Sequence, residues 1–214
     1  MCKIKVKHFS ISLDGFGAGV NQNKENPLGI RGMELHQWAF ETKMFKTMIG
    51  ESGGKEGIDN DVMNKTFENV GAVIMGRNMF GPIRGNWLDD EWKGWWGENP
   101  PFRVPVFVLT HHERKLTQMK GGTVFHFITD GIKSALDEAK KVAQGKDIVI
   151  GGGVSTIRQF LQAGYIDELE ISLAPVFLGS GENLFSGIDM SGLGYNKIVR
   201  TEGEKATHFT ITRD

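Results

Sequence analysis

Ile148-Val149-Ile150-Gly151-Gly152-Gly153-Val154-Ser155-Thr156 passes from an apolar stretch through three glycines into a segment of helical spacing. A short apolar run of this kind, opened by Asp147, suits a strand buried on both faces. Residues without Cβ atoms let a phosphate approach the backbone, and the helix start beyond them offers free N–H groups and a positive dipole end. The pattern is neither G-x-G-x-x-G nor a phosphate loop ending in Gly-Lys-Ser/Thr. Taken alone, it fits a tight strand-to-helix turn without a ligand equally well.

Two similar strands lie outward from it. Ala72-Val73-Ile74-Met75 runs into Gly76-Arg77-Asn78-Met79-Phe80, and Pro105-Val106-Phe107-Val108-Leu109 runs into Thr110-His111-His112-Glu113-Arg114. In α/β sheets the carboxyl ends of strands are where ligands bind. An Arg at such an end can fork onto a phosphate, although pairing with a carboxylate is the commoner fate of a lone Arg. His111 and His112 are neighbours that point apart in extended chain, and no third ligand accompanies them, so no metal site is expected. Three strands of one sheet ending in phosphate-compatible groups is a stronger pattern than any one of them, because those ends lie side by side.

Periodicity supplies the remaining elements. Alternation predicts an opening strand over 4–13, interrupted by Asp14-Gly15-Phe16-Gly17-Ala18-Gly19. Helical spacing predicts a helix over 34–49, and Asp59 is expected to cap another carrying Val62, Met63, Thr66, Phe67 and Val70. Between them, Glu51 to Gly57 resembles a mobile surface excursion. A strand near 123–128, a helix over 131–144, a helix through Phe160-Leu161 and a strand at 169–173 follow. Lys197–Thr201 and Lys205–Thr212 predict a closing antiparallel hairpin. Strands alternating with helices imply a three-layer α/β fold with a mostly parallel, mixed central sheet, expected to form one domain over 1–214.

The chain has 214 residues and a formal net charge of −1, with no long run of either sign. Neither a nucleic-acid surface nor a membrane-surface helix is expected, and no window reaches the ~20 apolar residues of a membrane span. Cys2, the single cysteine, cannot form an internal disulfide, which fits a reducing cytoplasm.

On these residues the chain resembles the dihydrofolate reductase superfamily, and more closely the C-terminal reductase domain of the riboflavin deaminase-reductase. The matching stretches are Ser10 to Gly15, Ile74 to Phe80, Val108 to Thr110, Ile150 to Gly153, and Ile166 to Leu169 leading to Ala174 to Gly181. The resemblance implies the dihydrofolate reductase-like fold, NADPH as cofactor and a small-molecule substrate. Gly151, Gly152 and Gly153 with Val154, Ser155 and Thr156 would hold the pyrophosphate. Gly76, Arg77, Asn78 and Met79, with Leu109, Thr110 and His111, would meet the adenosine end. Ser12, Gly15 and Ala18 would belong to a loop closing over the nicotinamide. Glu34, at the position nearest the superfamily's carboxylate, His36 and Asp14 are the catalytic candidates, each weighed against a helix-surface or turn residue.

Ile150 stands where riboflavin-type reductases often carry an acid beside the glycines, so pterin-like and pyrimidine-like substrates both stay open. The segment from Gly85 to Gly97, continuing to Phe102, departs from the family pattern and holds four of the five tryptophans. Trp95 and Trp96, with Trp38 from the early helix, are candidate substrate contacts. A lid, a homodimer surface and plain core packing are the alternatives for the segment. The implied activity is hydride transfer from NADPH to a small heteroaromatic compound. A catalytically silent nucleotide-binding or ligand-sensing module is the competing expectation.

Overall fold

The computed structural model describes residues 2–81, 84–87 and 91–213. Residues 88–90 of the tryptophan-rich segment lie outside the described residues. Six strands form the parallel body of one sheet: β1 (Ile4–Ile11), β3 (Val70–Gly76), β4 (Pro105–Leu109), β6 (Val124–Ile128), β7 (Asp147–Gly152) and β8 (Glu168–Leu173). They are joined by the hairpin β10 (Lys197–Glu202) and β11 (Thr207–Thr212), and by the short β5 (Thr117–Gln118). Their order is β10-β11-β8-β1-β7-β3-β4-β6-β5, parallel from β8 through to β6 and antiparallel at both edges. The mixed, mostly parallel sheet inferred from the apolar runs is therefore present. A two-stranded ribbon, β2 (Phe16–Ala18) with β9 (Glu182–Asn183), stands apart from it. Neither β2 nor β9 was legible, because two or three residues carry no measurable period.

Every residue of β3 is buried, and alternate side chains serve different cores. Ala72 and Ile74 join Ile148, Ile150, Phe160 and Leu161 under α5 (Ile132–Val142) and α6 (Val154–Gln162). Val73 and Met75 join Val106, Val108 and Phe125 in a second core. That second core is closed by Trp87, Trp92, Trp96 and Phe102. An irregular aromatic segment thus does the covering that the alternating strands and helices would assign to a helix. Trp96 packs edge-on against Phe102 at 4.8 Å between ring centroids and stacks over Phe125 at 6.4 Å. Core packing accounts for these rings. Trp96→Ala is expected to cost ~2–4 kcal/mol in urea unfolding, the loss typical of truncating a packed aromatic. Light scattering of wild type and variant should give the same mass; a halved mass in the variant would mean that the ring serves an interface.

The helix expected over 34–49 is broken. A 3-10 turn (Gly32–His36) leads into α1 (Gln37–Phe40), and α2 (Lys43–Met48) starts afresh. Thr42 is the cause: it is buried, its backbone is extended (φ −71°, ψ 149°), and its hydroxyl accepts from Phe45 N at 3.2 Å. A side chain that caps a new helix competes with continuation of the old one. The segment Glu51 to Gly57 is exposed apart from the half-buried Gly57, and Lys55 makes an isolated bridge to Thr42. Asp59 does not cap α3 (Ile58–Asn64). Glu204 does, its carboxylate accepting from the N–H groups of Ile58 and Asp59 at 3.0 Å each. Val70 belongs to β3 rather than to that helix. No helix among the described residues is long and apolar enough to cross a membrane.

Candidate functional site

A cleft of about 650 Å³ opens along the carboxyl ends of β7, β3 and β4. The parallel ladder puts Met75 against Gly152 and Gly76 against Leu109. Register thereby sets the glycine turn, Arg77 and Thr110 on one wall. Gly152 holds φ at 125°, a conformation that residues with a Cβ rarely adopt. A Cβ on Gly76 would lie 2.4 Å from Thr156 Oγ1, so only glycine lets α6 begin this close to β3. Gly153, which precedes α6, has no side chain to cap it, and a Cβ there would meet nothing within 4 Å. The first N–H groups of α6, at Val154, Ser155 and Thr156, have no acceptor in the preceding turn of helix, and all three residues line the cleft.

Arg77 is a cation of this wall. Its Nη1 donates to Thr110 Oγ1 at 3.0 Å, and its guanidinium carbon lies 3.1 Å from the centre of the Trp87 ring. Its Nε and Nη2 are buried and have no hydrogen-bond partner among the described residues. Burial and then the nearby Arg114 push its pKa down to about 10; it remains a cation at neutral pH. Across the cleft, Asn78 Nδ2 donates to Gln22 Oε1 at 3.1 Å and Gln22 Nε2 donates to Glu182 Oε1 at 3.3 Å. That polar chain ties the loop after β2 and the ribbon strand β9 to the end of β3.

Of the residues singled out by sequence, Ala18, His36, Gly76 to Met79, Leu109 to His111 and Gly151 to Thr156 line this one cleft. Others do not. Glu34 forms a two-pronged ion pair with Arg31, at 2.8 Å to each carboxylate oxygen, which holds its carboxyl below the usual range. Asp14 accepts from Ser12 Oγ at 2.5 Å and from the N–H groups of Leu178 and Gly179 at 3.1 and 2.7 Å. The Ser12 hydroxyl and then these N–H groups lower its pKa, so its charge is committed to fastening a turn. Ser12 and Gly15 (φ 85°) build the same turn. Trp38 is buried away from the cleft, its Nε1 donating to Ser10 Oγ at 3.0 Å. Trp95 packs edge-on against Trp92 at 4.9 Å, and neither Trp95 nor Trp96 lines the cleft.

His36 is half-buried on the cleft wall, and desolvation pushes its pKa down to about 4. It is therefore a neutral imidazole at pH 7, able to give or take a hydrogen bond but rarely holding a spare proton. A histidine depressed from 6.5 on folding contributes stability that is complete above pH 6.5 and is lost as pH falls toward 4. The melting temperature is accordingly expected to drop between pH 6.5 and 4. His36→Phe should remove ~1–2 kcal/mol of that slope, after allowance for partial solvent access. An unchanged slope in the variant would show that other groups set it.

Sequence gave no hint of His8, Phe9, Gln22 or Glu182, which also line the cleft. Their roles depend on a bulge in β1 and on loops meeting across the sheet edge. A second buried cluster invites a different chemistry. Ser172 Oγ lies 2.9 Å from His208 Nδ1, and His208 Nε2 lies 2.9 Å from Asp59 Oδ1. In serine hydrolases the acid holds Nδ1 and the nucleophile faces Nε2. Here that order is reversed and Ser172 is fully buried, so the cluster fastens α3 and β11 to β8.

The chain matches the RibD C-terminal domain family over residues 5–210. With the mixed sheet and its glycine-floored cleft, that match makes the protein a member of the RibD C-terminal domain family. Over 166 residues it is 31% identical to the uncharacterized protein YyaP of Bacillus subtilis, covering 72% of this chain and 83% of YyaP. Among solved structures it resembles a putative riboflavin biosynthesis protein of Shewanella sp. PV-4, with 22% identity, a TM-score of 0.55, and coverage of 100% of this chain and 99% of that one. It also resembles a Thermotoga maritima diaminohydroxyphosphoribosylaminopyrimidine deaminase/5-amino-6-(5-phosphoribosylamino)uracil reductase, at 14% identity and a TM-score of 0.57. That alignment covers 100% of this chain and 57% of the longer protein.

Proposed function

We propose that this protein binds NADPH in the cleft and reduces a C=N or C=O bond of a small heteroaromatic compound of pterin-like or pyrimidine-like shape. The observation that carries the proposal is Arg77. Two of its nitrogens are buried without a hydrogen-bond partner among the described residues, beside a turn stripped of side chains and the start of α6. Leaving such donors unsatisfied is costly, so a site built this way suits an anion that the protein itself does not supply. A phosphorylated dinucleotide fits both features. The first N–H groups of α6 and the backbone of Gly151 to Gly153 would hold the pyrophosphate, and Arg77 with Thr110 the phosphate on the adenosine ribose. His111, exposed at the same lip, would add a donor there. The nicotinamide supplies the hydride when bound. Ala18, Pro27 and Leu28, which line the cleft, would keep water from the reacting atoms.

Arg77→Met keeps an apolar stem and removes the charge, together with the guanidinium that lies over Trp87. It is expected to weaken NADPH by ~10- to 100-fold, the span of a lost charge-assisted hydrogen bond, with NADH affected by less than ~3-fold. Calorimetry with both cofactors reads this directly. Equal losses for the two would take Arg77 away from the extra phosphate. The competing function, a nucleotide-binding sensor without turnover, is favoured by the removal of Glu34 and Asp14 from the cleft. Tight NADPH binding with no oxidation across a panel of pterin and pyrimidine acceptors would select it.

A further inference from the structure

The register of β1 against β8 slips between Val6 and Phe9, and at the slip His8 takes φ 50°, in the left-handed region. Strained backbone of this kind collects at functional sites. The imidazole of His8 is 10% exposed, and the residue lines the cleft. Its Nδ1 lies 3.1 Å from Glu170 Oε2, a close contact without a hydrogen bond, for Oε2 too is buried with no hydrogen-bond partner among the described residues. Its Nε2 is buried with no hydrogen-bond partner among the described residues. One ring nitrogen thus faces a carboxyl behind it, and the other has no hydrogen-bond partner among the described residues.

We infer that His8 and Glu170 hold the proton that completes the proposed reduction, with His8 Nε2–H as donor to the acceptor atom and Glu170 as the residue that positions and reloads it. This rests on the reductase reading above and supplies the acid which that reading leaves unassigned. The surroundings suit the role. Burial and then the adjacent Glu168 raise the Glu170 carboxyl to about 7. Burial first, then His208, Lys7 and Lys65, push His8 down to about 3. The lysines of β1 are engaged elsewhere: Lys5 Nζ lies 2.8 Å from Glu168, and Lys7 Nζ donates to the carbonyls of Lys65 and Glu68 at 2.7 Å each. Near neutral pH the pair is therefore a neutral imidazole backed by a carboxyl that is partly protonated.

As hydride reaches the carbon of the C=N or C=O bond, the π electron pair moves onto the heteroatom. That atom takes the proton from Nε2 while the Glu170 carboxylic proton passes to Nδ1. His8 ends neutral in its other tautomer and Glu170 ends as a carboxylate; before the next cycle a solvent proton returns to Nε2 as the Nδ1 proton passes back to Glu170. His36, also neutral, can help to orient the acceptor; its shift comes from burial, with no carboxyl among its causes.

The test uses the full chain with NADPH, beside Glu170→Gln and His8→Gln. Nitrogen NMR of wild type is expected to show His8 neutral from pH 5 to 9, with its proton on Nε2 in the acid half of that range. Infrared difference spectra should show a protonated-carboxyl band that titrates near pH 7 and is missing from Glu170→Gln. Both variants should bind NADPH within ~2-fold of wild type. With any acceptor that wild type reduces, kcat should fall at least ~10-fold in each, the usual reach of general acid catalysis. Wild-type turnover should decline as pH rises through 7, and Glu170→Gln should lose that decline. A His8 that becomes cationic near pH 6.5, a missing carboxyl band at pH 6, or the same pH profile in Glu170→Gln would overturn the inference. Failure of wild type to bind NADPH would instead overturn the reductase reading, and the two spectroscopic measurements would still decide whether the dyad holds a proton.

Discussion

Gly153→Val is expected to lower NADPH affinity by at least ~100-fold, equivalent to ~2.7 kcal/mol, while leaving the protein folded. The contrast with its neighbours gives the substitution its meaning. Gly152 sits at φ 125°, and a Cβ on Gly76 would press on Thr156 Oγ1 at 2.4 Å, so side chains at either position would strain the protein itself. At Gly153 φ is −73° and a Cβ meets nothing within 4 Å. The valine would therefore project into open space where the pyrophosphate is proposed to lie, separating it from the first N–H groups of α6. Circular dichroism should be unchanged, and fluorescence titration should show binding lost for NADPH and NADH alike. Normal affinity in a folded variant would remove the glycine turn from the cofactor site and with it the proposed function.

The second large effect concerns stability. Asp59→Ala is expected to cost ~3–5 kcal/mol, the usual result of removing one partner from a buried polar pair. Asp59 is 4% exposed; its Oδ1 lies 2.9 Å from His208 Nε2 and its Oδ2 accepts from Lys205 N at 2.8 Å. Without it, both donors lose their partner inside the protein, and α3 loses one of its fastenings to the terminal hairpin, the cap from Glu204 remaining. Asp59→Asn, which keeps an acceptor for one of the two, should fall between wild type and the alanine variant in urea unfolding. A loss below ~1 kcal/mol for alanine would mean that water enters and replaces the carboxylate. NADPH binding by the folded fraction should not change, because the cluster lies outside the cleft.

The sequence by itself determined the parallel body of the sheet and the wall of the cleft. Buried strands such as Val70–Gly76 and Asp147–Gly152 show themselves as unbroken apolar runs, and the glycines and polar residues that follow are contiguous with them. Once strands are parallel neighbours, their carboxyl ends must lie together, so Arg77, Thr110 and the glycine turn were brought together by local signals alone. The tertiary structure decided what depends on segments distant in the chain. Thr42 split a helix whose spacing looked continuous, and Glu204 took the capping role expected of Asp59. Trp87, Trp92 and Trp96 closed a core rather than leaving the surface, since among the described residues no long helix covers that face of β3 and β4. Glu34 and Asp14 were drawn into an ion pair and a turn, while a bulge turned His8 into the cleft wall with Glu170 behind it. Periodicity records which face a residue shares with its near neighbours along the chain. It carries no record of which remote group will meet that face, and at this site such meetings decide which acid is available.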